Sequence, residues 1–192
     1  GEAIYVRDED SLELFGATAH PLRSMNQADN KANQSAFVAH HGRGYSRFEH
    51  QADGLGLTLL QYVPLADPIK ISRLTLHNQT GRRRRFSITS YAEWALGTAR
   101  GTSAPFITTD LDSAGSNALF VCNRWNVAFP GRVAFADMGG MQSAWTTDRT
   151  EFLGRNGRIN APAALLRDSS LSGSIGAGQD PCTAQQSIIE LG

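Results

Sequence analysis

Phe86-Ser87-Ile88-Thr89-Ser90-Tyr91-Ala92-Glu93-Trp94 is the stretch of this 192-residue chain that decides its fold class. Apolar or small side chains occupy every second position from Phe86 to Trp94, and polar side chains with one tyrosine fill the positions between them. Successive side chains of a β-strand point to opposite faces. The alternation therefore predicts a strand over residues 86–94.

The same pattern recurs along the chain, with turn-forming Gly, Pro, Asn and Asp between its copies. Further strands are predicted at residues 1–7, 45–50, 55–63, 69–77, 117–123 and 131–138. Helical periodicity is nearly absent. Residues 161–167 predict one or two helical turns, and residues 16–44 predict a long surface excursion. Short strands at regular spacing predict an all-β fold, an antiparallel β-sandwich.

Residues 69–77 and 86–94 are joined by Asn78-Gln79-Thr80-Gly81, followed by four arginines at 82–85. A glycine near the tip of a short polar connection indicates a β-hairpin. The arginines could hold phosphate or nucleic acid, but their place at a hairpin tip favours a solvated turn.

The composition limits the possible classes of function. Lys plus Arg number 18 and Asp plus Glu number 18, so the net charge is zero, which argues against a nucleic-acid-binding domain. No run reaches the roughly 18 apolar residues of a membrane span, so we expect no direct membrane contact. Cys122 and Cys182 are too few for a disulfide scaffold, and Cys122 is expected to be a buried free thiol. We expect one domain over residues 1–192, cut from a longer protein.

Several groups of chemically active residues match no strong motif. The glycine-rich stretch 173–178 lacks the Gly-Lys-Ser/Thr of a phosphate loop and is interpreted as a flexible loop. His40, His41 and His50 with Glu49 match no metal pattern, so we expect neither metal nor cofactor. The carboxylates Asp110, Asp112, Glu93 and Glu151 could form an acid–base pair, but Asp112 more simply caps a turn.

Tryptophans are the best candidates for sugar contact, because a flat apolar ring covers the C–H face of a pyranose. Trp94 ends an alternating face and is expected in the core. Trp125 lies in a polar stretch, and Trp145 precedes Thr146-Thr147-Asp148-Arg149. Trp125 and Trp145 are therefore the candidates.

Read together, several stretches resemble one family. They are residues 5–9, 41–50, 91–97 and 176–182, and above all Thr147-Asp148-Arg149-Thr150-Glu151-Phe152-Leu153-Gly154-Arg155-Asn156-Gly157. The chain resembles the N-terminal β-sandwich of the family 94 glycoside phosphorylases, formerly glycosyltransferase family 36. It looks most like the copy in the C-terminal, phosphorylase-like part of cyclic β-1,2-glucan synthases.

The resemblance implies a galactose-mutarotase-like supersandwich, here truncated at both ends. In the family, a helical linker joins this sandwich to an (α/α)6 barrel that carries the catalytic Asp and the phosphate site. The reaction is inverting phosphorolysis of a β-glucoside. No catalytic residue can be assigned to residues 1–192, because the barrel has no counterpart among them.

We therefore expect a non-catalytic lobe that shapes a glucan site and supports domain or dimer packing. The expected partners are a β-glucan oligosaccharide, the (α/α)6 catalytic domain of the parent chain and, for a homodimer, a second copy. The expected location is the cytoplasmic face of the inner membrane, within a bacterial membrane-bound synthase. The predicted substrate-binding residues are Trp125, Trp145, Asp148, Arg149, Glu151, Arg155 and Asn156.

Two other functions remain open at this point. One is an autonomous sugar enzyme of the mutarotase type, with His50 and Glu151 as acid and base. The other is a structural scaffold without a ligand, in which the pairs Asp148 with Arg149 and Glu151 with Arg155 only lock their own loop.

Overall fold

A computed structural model describes residues 1–22, 36–167 and 169–192. The chain forms two compact units. The first unit contains Gly1–Ile4 and Ser87–Ile188, and the second contains Tyr5–Phe86 and Ile189–Gly192. The part of the predicted excursion that covers residues 23–35 lies outside the described residues.

The described elements are mostly strands, which confirms the all-β prediction. The strands are β1 (Glu2–Asp8), β2 (Leu14–Phe15), β3 (Val38–Gly42), β4 (Tyr45–Ala52), β5 (Leu55–Tyr62), β6 (Ile71–Asn78), β7 (Arg84–Glu93), β8 (Ile107–Leu111), β9 (Leu119–Asn123), β10 (Val133–Ala136), β11 (Ala144–Asp148) and β12 (Pro181–Leu191). The short helices are α1 (Arg100–Ser103) and α2 (Arg149–Leu153), with 3-10 turns at Ala104–Phe106 and Ala163–Leu166. No helix in the described ranges is long and apolar enough to cross a membrane.

The strands form three sheets. The first unit holds a three-stranded sheet in the order β10-β9-β8, and the second holds a four-stranded sheet in the order β3-β4-β5-β6. The third sheet has the order β11-β12-β7-β1-β2. The pairings within the two smaller sheets are antiparallel, as the sequence predicts.

Strand β7 lies at the centre of the five-stranded sheet, between β12 and β1. Both of its faces are covered, since Ser87, Thr89 and Tyr91 are buried as well as Phe86 and Ile88. A small hydroxyl side chain can be buried when it forms a hydrogen bond. The Thr89 hydroxyl, for example, accepts a hydrogen bond from Gln186 Nε2 at 3.1 Å. The alternating pattern thus locates the strand but understates its burial.

The predicted hairpin between residues 69–77 and 86–94 is wrong. β6 is an edge strand paired with β5, whereas β7 belongs to another sheet. Asn78 turns the chain between them: its side-chain oxygen accepts from the Thr80 amide at 3.1 Å, and its amide nitrogen donates to the Arg82 carbonyl at 2.6 Å. A turn held by its own side chain redirects the strand without pairing it to the next one.

Arg84 contradicts the prediction of a solvated arginine turn. Its side chain is 3% exposed, and its Nη2 and Nε lie 2.6 and 2.8 Å from Oδ2 of Asp8, whose side chain is 1% exposed. Nη1 of Arg84 also donates to the Asp53 carbonyl at 3.0 Å. Burial alone would raise the pKa of Asp8, but the bonds from Arg84 and from the amides of Ser11 and Asp10 lower it. The pair ties the beginning of β7 to the end of β1.

Both cysteines are free. Cys122 is half-buried, not buried as predicted, because its position on β9 faces outward, and its sulfur lies 3.0 Å from the Thr108 hydroxyl. Cys182 is fully buried, and burial raises the pKa of its thiol.

Replacing Arg84 with Ala should destabilise the protein by about 3–5 kcal/mol, because the carboxylate of Asp8 would stay buried without its partner. The matched control is Arg83→Ala, since Arg83 forms an exposed pair with Glu190 at 3.6 Å and should cost less than about 1 kcal/mol. Urea denaturation measures both values, and equal losses for the two variants would contradict the assignment.

Candidate functional site

The strand–helix segment β11–α2 contains most of the predicted site residues. The sequence predicts a polar loop after Trp145, but residues 149–153 are helical. Asp148 is the N-cap of α2, and its Oδ1 accepts from the Thr150 amide at 2.8 Å. An aspartate followed three residues later by Glu151 is a helix-start signal that the sequence does carry.

Arg149 joins three parts of the first unit. Its Nε donates to Oε1 of Glu93, at the end of β7, at 2.8 Å, and its Nη1 lies 3.4 Å from Oδ2 of Asp180, just before β12. Asp180 also pairs with Arg100 of α1. The predicted loop-locking pair between Asp148 and Arg149 is therefore replaced by pairs that connect separate elements.

Glu93 is the centre of this network. It accepts from Arg149 and, at 2.9 Å, from the Tyr91 hydroxyl. Partial burial alone would raise the pKa of Glu93, but the hydrogen bonds from Arg149, Tyr91 and the amino group of Gly1 lower it from its ordinary value of 4.5 to about 2. The carboxylate is therefore ionised at neutral pH and unsuited to donating a proton.

Glu151 is bonded in a different direction. Its Oε2 accepts from the hydroxyls of Thr146 and Ser172, both at 2.6 Å, and its Oε1 accepts from the Ser172 amide at 2.8 Å. Glu151 thus fastens the first turn of α2 to the segment that follows residue 168. The hydrogen bonds to this carboxylate thus come from Thr146 and Ser172, and not from Arg155 as predicted.

A tight turn at residues 154–157 follows α2. The Gly157 amide donates to the Gly154 carbonyl at 3.0 Å, and Gly154 has a φ of 93°. A Cβ at position 157 would lie 1.6 Å from the Leu153 carbonyl oxygen, so only glycine fits there. The turn places Arg155 and Asn156 at the surface, where both are exposed.

The two candidate tryptophans lie in different surroundings. Trp145 is half-buried on β11, with its backbone carbonyl bonded to the Gly173 amide at 2.8 Å. Trp125 is 69% exposed and stacks on Phe106 with ring centroids 5.1 Å apart. It lines a cleft of about 820 Å³ in the first unit.

That cleft also contains residues that sequence analysis did not single out. Its lining includes Phe106, Asn123, Phe129 and Arg132, and among the described residues none of the other predicted site positions lines it. Asn123 holds Trp125 in place, because its side-chain oxygen accepts from the Trp125 amide at 3.0 Å. The predicted residues therefore lie in two separate places, the β11–α2 segment with the turn that follows it and the Trp125 cleft.

Other sequence candidates have structural roles. Asp112 caps its turn as predicted, since its carboxylate accepts from the Ala114 amide at 3.0 Å and the Ser116 hydroxyl at 2.5 Å. The 173–178 loop, interpreted as flexible, is instead anchored: the Gly176 amide donates to the Thr109 hydroxyl at 2.8 Å, and the Thr147 amide donates to the Ser174 carbonyl at 3.0 Å.

The two residues proposed for mutarotase chemistry lie in separate units. His50 belongs to the second unit, is buried, and stacks on Phe37 with centroids 3.7 Å apart. Glu151 belongs to the first unit and is occupied by Thr146 and Ser172.

The family model described as glycosyl hydrolase 94, supersandwich domain, matches residues 1–192. The chain belongs to this family. It is 36% identical over 191 residues to the cyclic beta-(1,2)-glucan synthase NdvB of Rhizobium meliloti (strain 1021), with 100% of this chain and 6% of the relative covered. It is also 26% identical over 185 residues to the solabiose phosphorylase of Paenibacillus borealis, with 92% of this chain and 22% of the relative covered.

These comparisons confirm the resemblance that the 147–157 stretch and its companions indicated. The supersandwich chain spans only a small part of the length of both relatives, 6% and 22%. The activities of the full-length relatives therefore cannot be assigned to residues 1–192 on similarity alone.

Replacing Gly157 with Ala should cost about 1–3 kcal/mol, because the new Cβ overlaps the Leu153 carbonyl and the turn must open. Gly101→Ala is the matched control, since a Cβ on that helical glycine meets nothing within 4 Å, and alanine favours a helix. Thermal unfolding of both variants checks this prediction. A Gly157 variant as stable as the Gly101 variant would contradict it.

The lowered pKa of Glu93 predicts an acid-sensitive stability. Because its pKa is lower folded than unfolded, its stabilising contribution is complete above about pH 4.5 and is lost as the pH falls toward 2. Glu93→Gln should flatten the pH dependence of the unfolding free energy between pH 6 and 3. An unchanged slope in that variant would show that other groups cause the acid loss.

Proposed function

We propose that this supersandwich chain is a non-catalytic lobe of a glucan-processing enzyme that contacts a β-glucan beside a neighbouring catalytic domain. The observation that carries the proposal is the 154–157 turn, which presents Arg155 and Asn156 to solvent on a fixed base. The similarity to a cyclic β-1,2-glucan synthase and to a solabiose phosphorylase supports a sugar as the ligand.

The chemistry of the two exposed side chains fits a polyhydroxyl ligand. A guanidinium offers several donors in one plane, and an amide offers both donors and an acceptor, so together they can pair with neighbouring hydroxyls. The backbone of the turn is already ordered, which reduces the entropy lost when a ligand binds. In this arrangement the turn is stabilised by Asp148, Arg149 and Glu151, whose side chains do not contact the sugar.

The carboxylates around the turn support a lobe without chemistry of its own. Glu93 is held ionised by Arg149, Asp148 caps α2, and Glu151 accepts three hydrogen bonds. A general acid for glycosidic oxygen needs a raised pKa and an open approach. We therefore assign the inverting phosphorolysis implied by the family to an (α/α)6 catalytic domain of the parent chain.

The Trp125 cleft supplies a second contact surface. Trp125 stacks on Phe106 and remains largely exposed, with Arg132 and Asn126 on the same lining, and an exposed aromatic ring suits the apolar face of a sugar. The side chains around it include exposed Val127, Phe129 and Val133. That apolar margin supports packing of this lobe against the catalytic domain or a second copy.

The location we propose is the cytoplasmic face of the inner membrane, reached through the parent protein. The similarity to a bacterial glucan synthase supports it. Fractionation of cells that express the full-length parent would test it, and parent protein recovered only in the soluble fraction would refute it.

Titration of the 192-residue chain with linear β-1,2-glucan, followed by calorimetry, tests the proposal. Arg155→Ala and Asn156→Ala should each weaken binding about five- to tenfold, because each removes hydrogen bonds worth about 1 kcal/mol. Arg85→Ala is the matched control, since it removes an exposed arginine elsewhere in the chain, and it should leave the affinity unchanged.

Two results would contradict the proposal. A folded chain that binds no glucan at millimolar concentration would favour a scaffold without a ligand. Acceleration of anomer interconversion by the purified chain, observed by NMR, would favour an autonomous mutarotase-like enzyme.

A further inference from the structure

Among the described residues, the four-stranded sheet of the second unit has one buried face and one partly exposed face. His50, Ala52, Leu55, Leu57 and Leu59 are buried on the inner face. The opposite side chains of the same strands form what we call the outer face, defined by the pairing register as Val38, His40 and Gly42 of β3, Tyr45, Arg47, Glu49 and Gln51 of β4, Gly56, Thr58, Leu60 and Tyr62 of β5, and Ile71, Arg73, Thr75 and His77 of β6.

Tyr45 lies flat on this outer face. It pairs with Gly42, and a Cβ at position 42 would lie 2.1 Å from Cε1, 2.4 Å from Cζ and 2.8 Å from the hydroxyl oxygen of Tyr45. The ring therefore covers the glycine and occupies the space that any larger residue would need. Its other side is open, since Tyr45 is 47% exposed.

Tyr62 extends the aromatic surface to the next strand. It is directly opposite Tyr45 in the β4–β5 register, and it is 36% exposed. Neighbouring strands lie about 4.8 Å apart, which is comparable to the length of one sugar residue in a glucan chain. Gly42, Tyr45, Tyr62 and Ile71 thus form one row across the sheet, which we call the tyrosine row.

A row of hydrogen-bonding groups runs beside the tyrosine row. Two residues further along the strands, His40, Arg47, Leu60 and Arg73 are aligned by the same register. Nε of Arg47 lies 3.1 Å from Oε1 of Glu49, so this arginine is oriented and its charge is balanced. The rings of Tyr45 and Tyr62 on β4 and β5 therefore adjoin a row in which His40, Arg47 and Arg73, but not Leu60, can form hydrogen bonds.

We propose that the tyrosine row is a second carbohydrate-binding site, which takes a neutral β-glucan chain lying across the strands. Sugar rings cover Tyr45 and Tyr62 with their C–H faces, and their hydroxyls pair with Arg47, Glu49 and Arg73. The proposal rests on the proposed function only for the choice of glucan. Its residues belong to the second unit, whereas Arg155, Asn156 and Trp125 belong to the first.

The charges and shape of the outer face favour this occupant over two others. Glu49 is bonded to Arg47 and lies 3.7 Å from Nε2 of His40, so the charges at the centre of the surface are balanced, which gives a polyanion little attraction there. The face is a mixture of hydroxyl, charged and isolated aromatic side chains, whereas the core of a stable protein interface is depleted of charge. A neutral polyhydroxyl chain satisfies both conditions.

The chain contains four tyrosines, which makes fluorine NMR of 3-fluorotyrosine-labelled protein a direct test. Tyr5 and Tyr91 are buried and serve as internal controls. On addition of linear β-1,2-glucan, the resonances of Tyr45 and Tyr62 should shift while those of Tyr5 and Tyr91 stay in place. The same shifts should persist in an Arg155→Ala/Asn156→Ala chain, which separates this site from the 154–157 turn.

Variants then measure the contribution of each ring. Tyr45→Ala and Tyr62→Ala should each weaken binding to the tyrosine row about three- to tenfold, as expected for loss of one aromatic contact. Gly42→Ala should have a similar effect, because the new Cβ displaces the Tyr45 ring. Thr75→Ala, on the same outer face but outside both rows, is the matched control and should bind normally.

Three outcomes would overturn the proposal. Glucan binding detected by calorimetry without movement of the Tyr45 and Tyr62 resonances would show that the sugar binds elsewhere. Shifts caused by dextran sulfate but not by neutral glucan would show an anion surface. Shifts that depend on protein concentration without any sugar would show that a second copy of the chain covers this face.

Discussion

Arg149 is the side chain on which the candidate site depends. It lies between Glu93 at the end of β7 and Asp180 at the start of β12, and it is also the first residue of α2. One guanidinium thus fixes three segments that are far apart in sequence. The side chain is partly exposed, so its ion pairs contribute modestly to stability, but they hold the first residue of α2 against the end of β7 and the segment before β12. The stacking of Tyr91 on Phe152, with centroids 4.8 Å apart, holds the other side of the same helix.

Seven of the described strands, β1, β4, β5, β6, β7, β9 and β10, could be predicted from local patterns, because alternation is a property of neighbouring residues. These patterns do not predict β2, β3, β8, β11 and β12, and β3 lies within the stretch 16–44 that the sequence predicts to be a surface excursion. The pairing of the strands into sheets could not be predicted in this way. The turn at Asn78 looks like a hairpin turn, yet β6 and β7 enter different sheets, since Arg84 draws β7 to Asp8 some 76 positions away. The N-cap at Asp148 was visible in the sequence and was missed because a polar stretch between strands favours a loop. The Trp125 cleft and the tyrosine row depend on sheet register and on loop contacts, which periodicity does not encode.

Arg155 and Asn156 could be named from the family resemblance, but the reason for their exposure comes from the structure. Acidic side chains of the 147–157 stretch are directed into the fold, where they cap a helix or bind hydroxyls and amides. Donor side chains follow on a turn that tolerates only glycine at position 157. This division places chemistry-capable carboxylates in structural roles and leaves the hydrogen-bonding side chains of Arg155 and Asn156 at the surface. It is the arrangement expected of a lobe that holds a substrate for a reaction carried out by another domain.

The central claim is that this chain contacts glucan through a fixed turn and performs no chemistry there. Amide chemical-shift mapping of the chain, with linear β-1,2-glucan and inorganic phosphate present, tests it most directly. We expect shifts at residues 154–157, unchanged amides at Glu93 and Arg149, and no new sugar signals in the same proton spectra. Shifts centred on Glu93 or Glu151, together with the appearance of a sugar phosphate, would contradict the account.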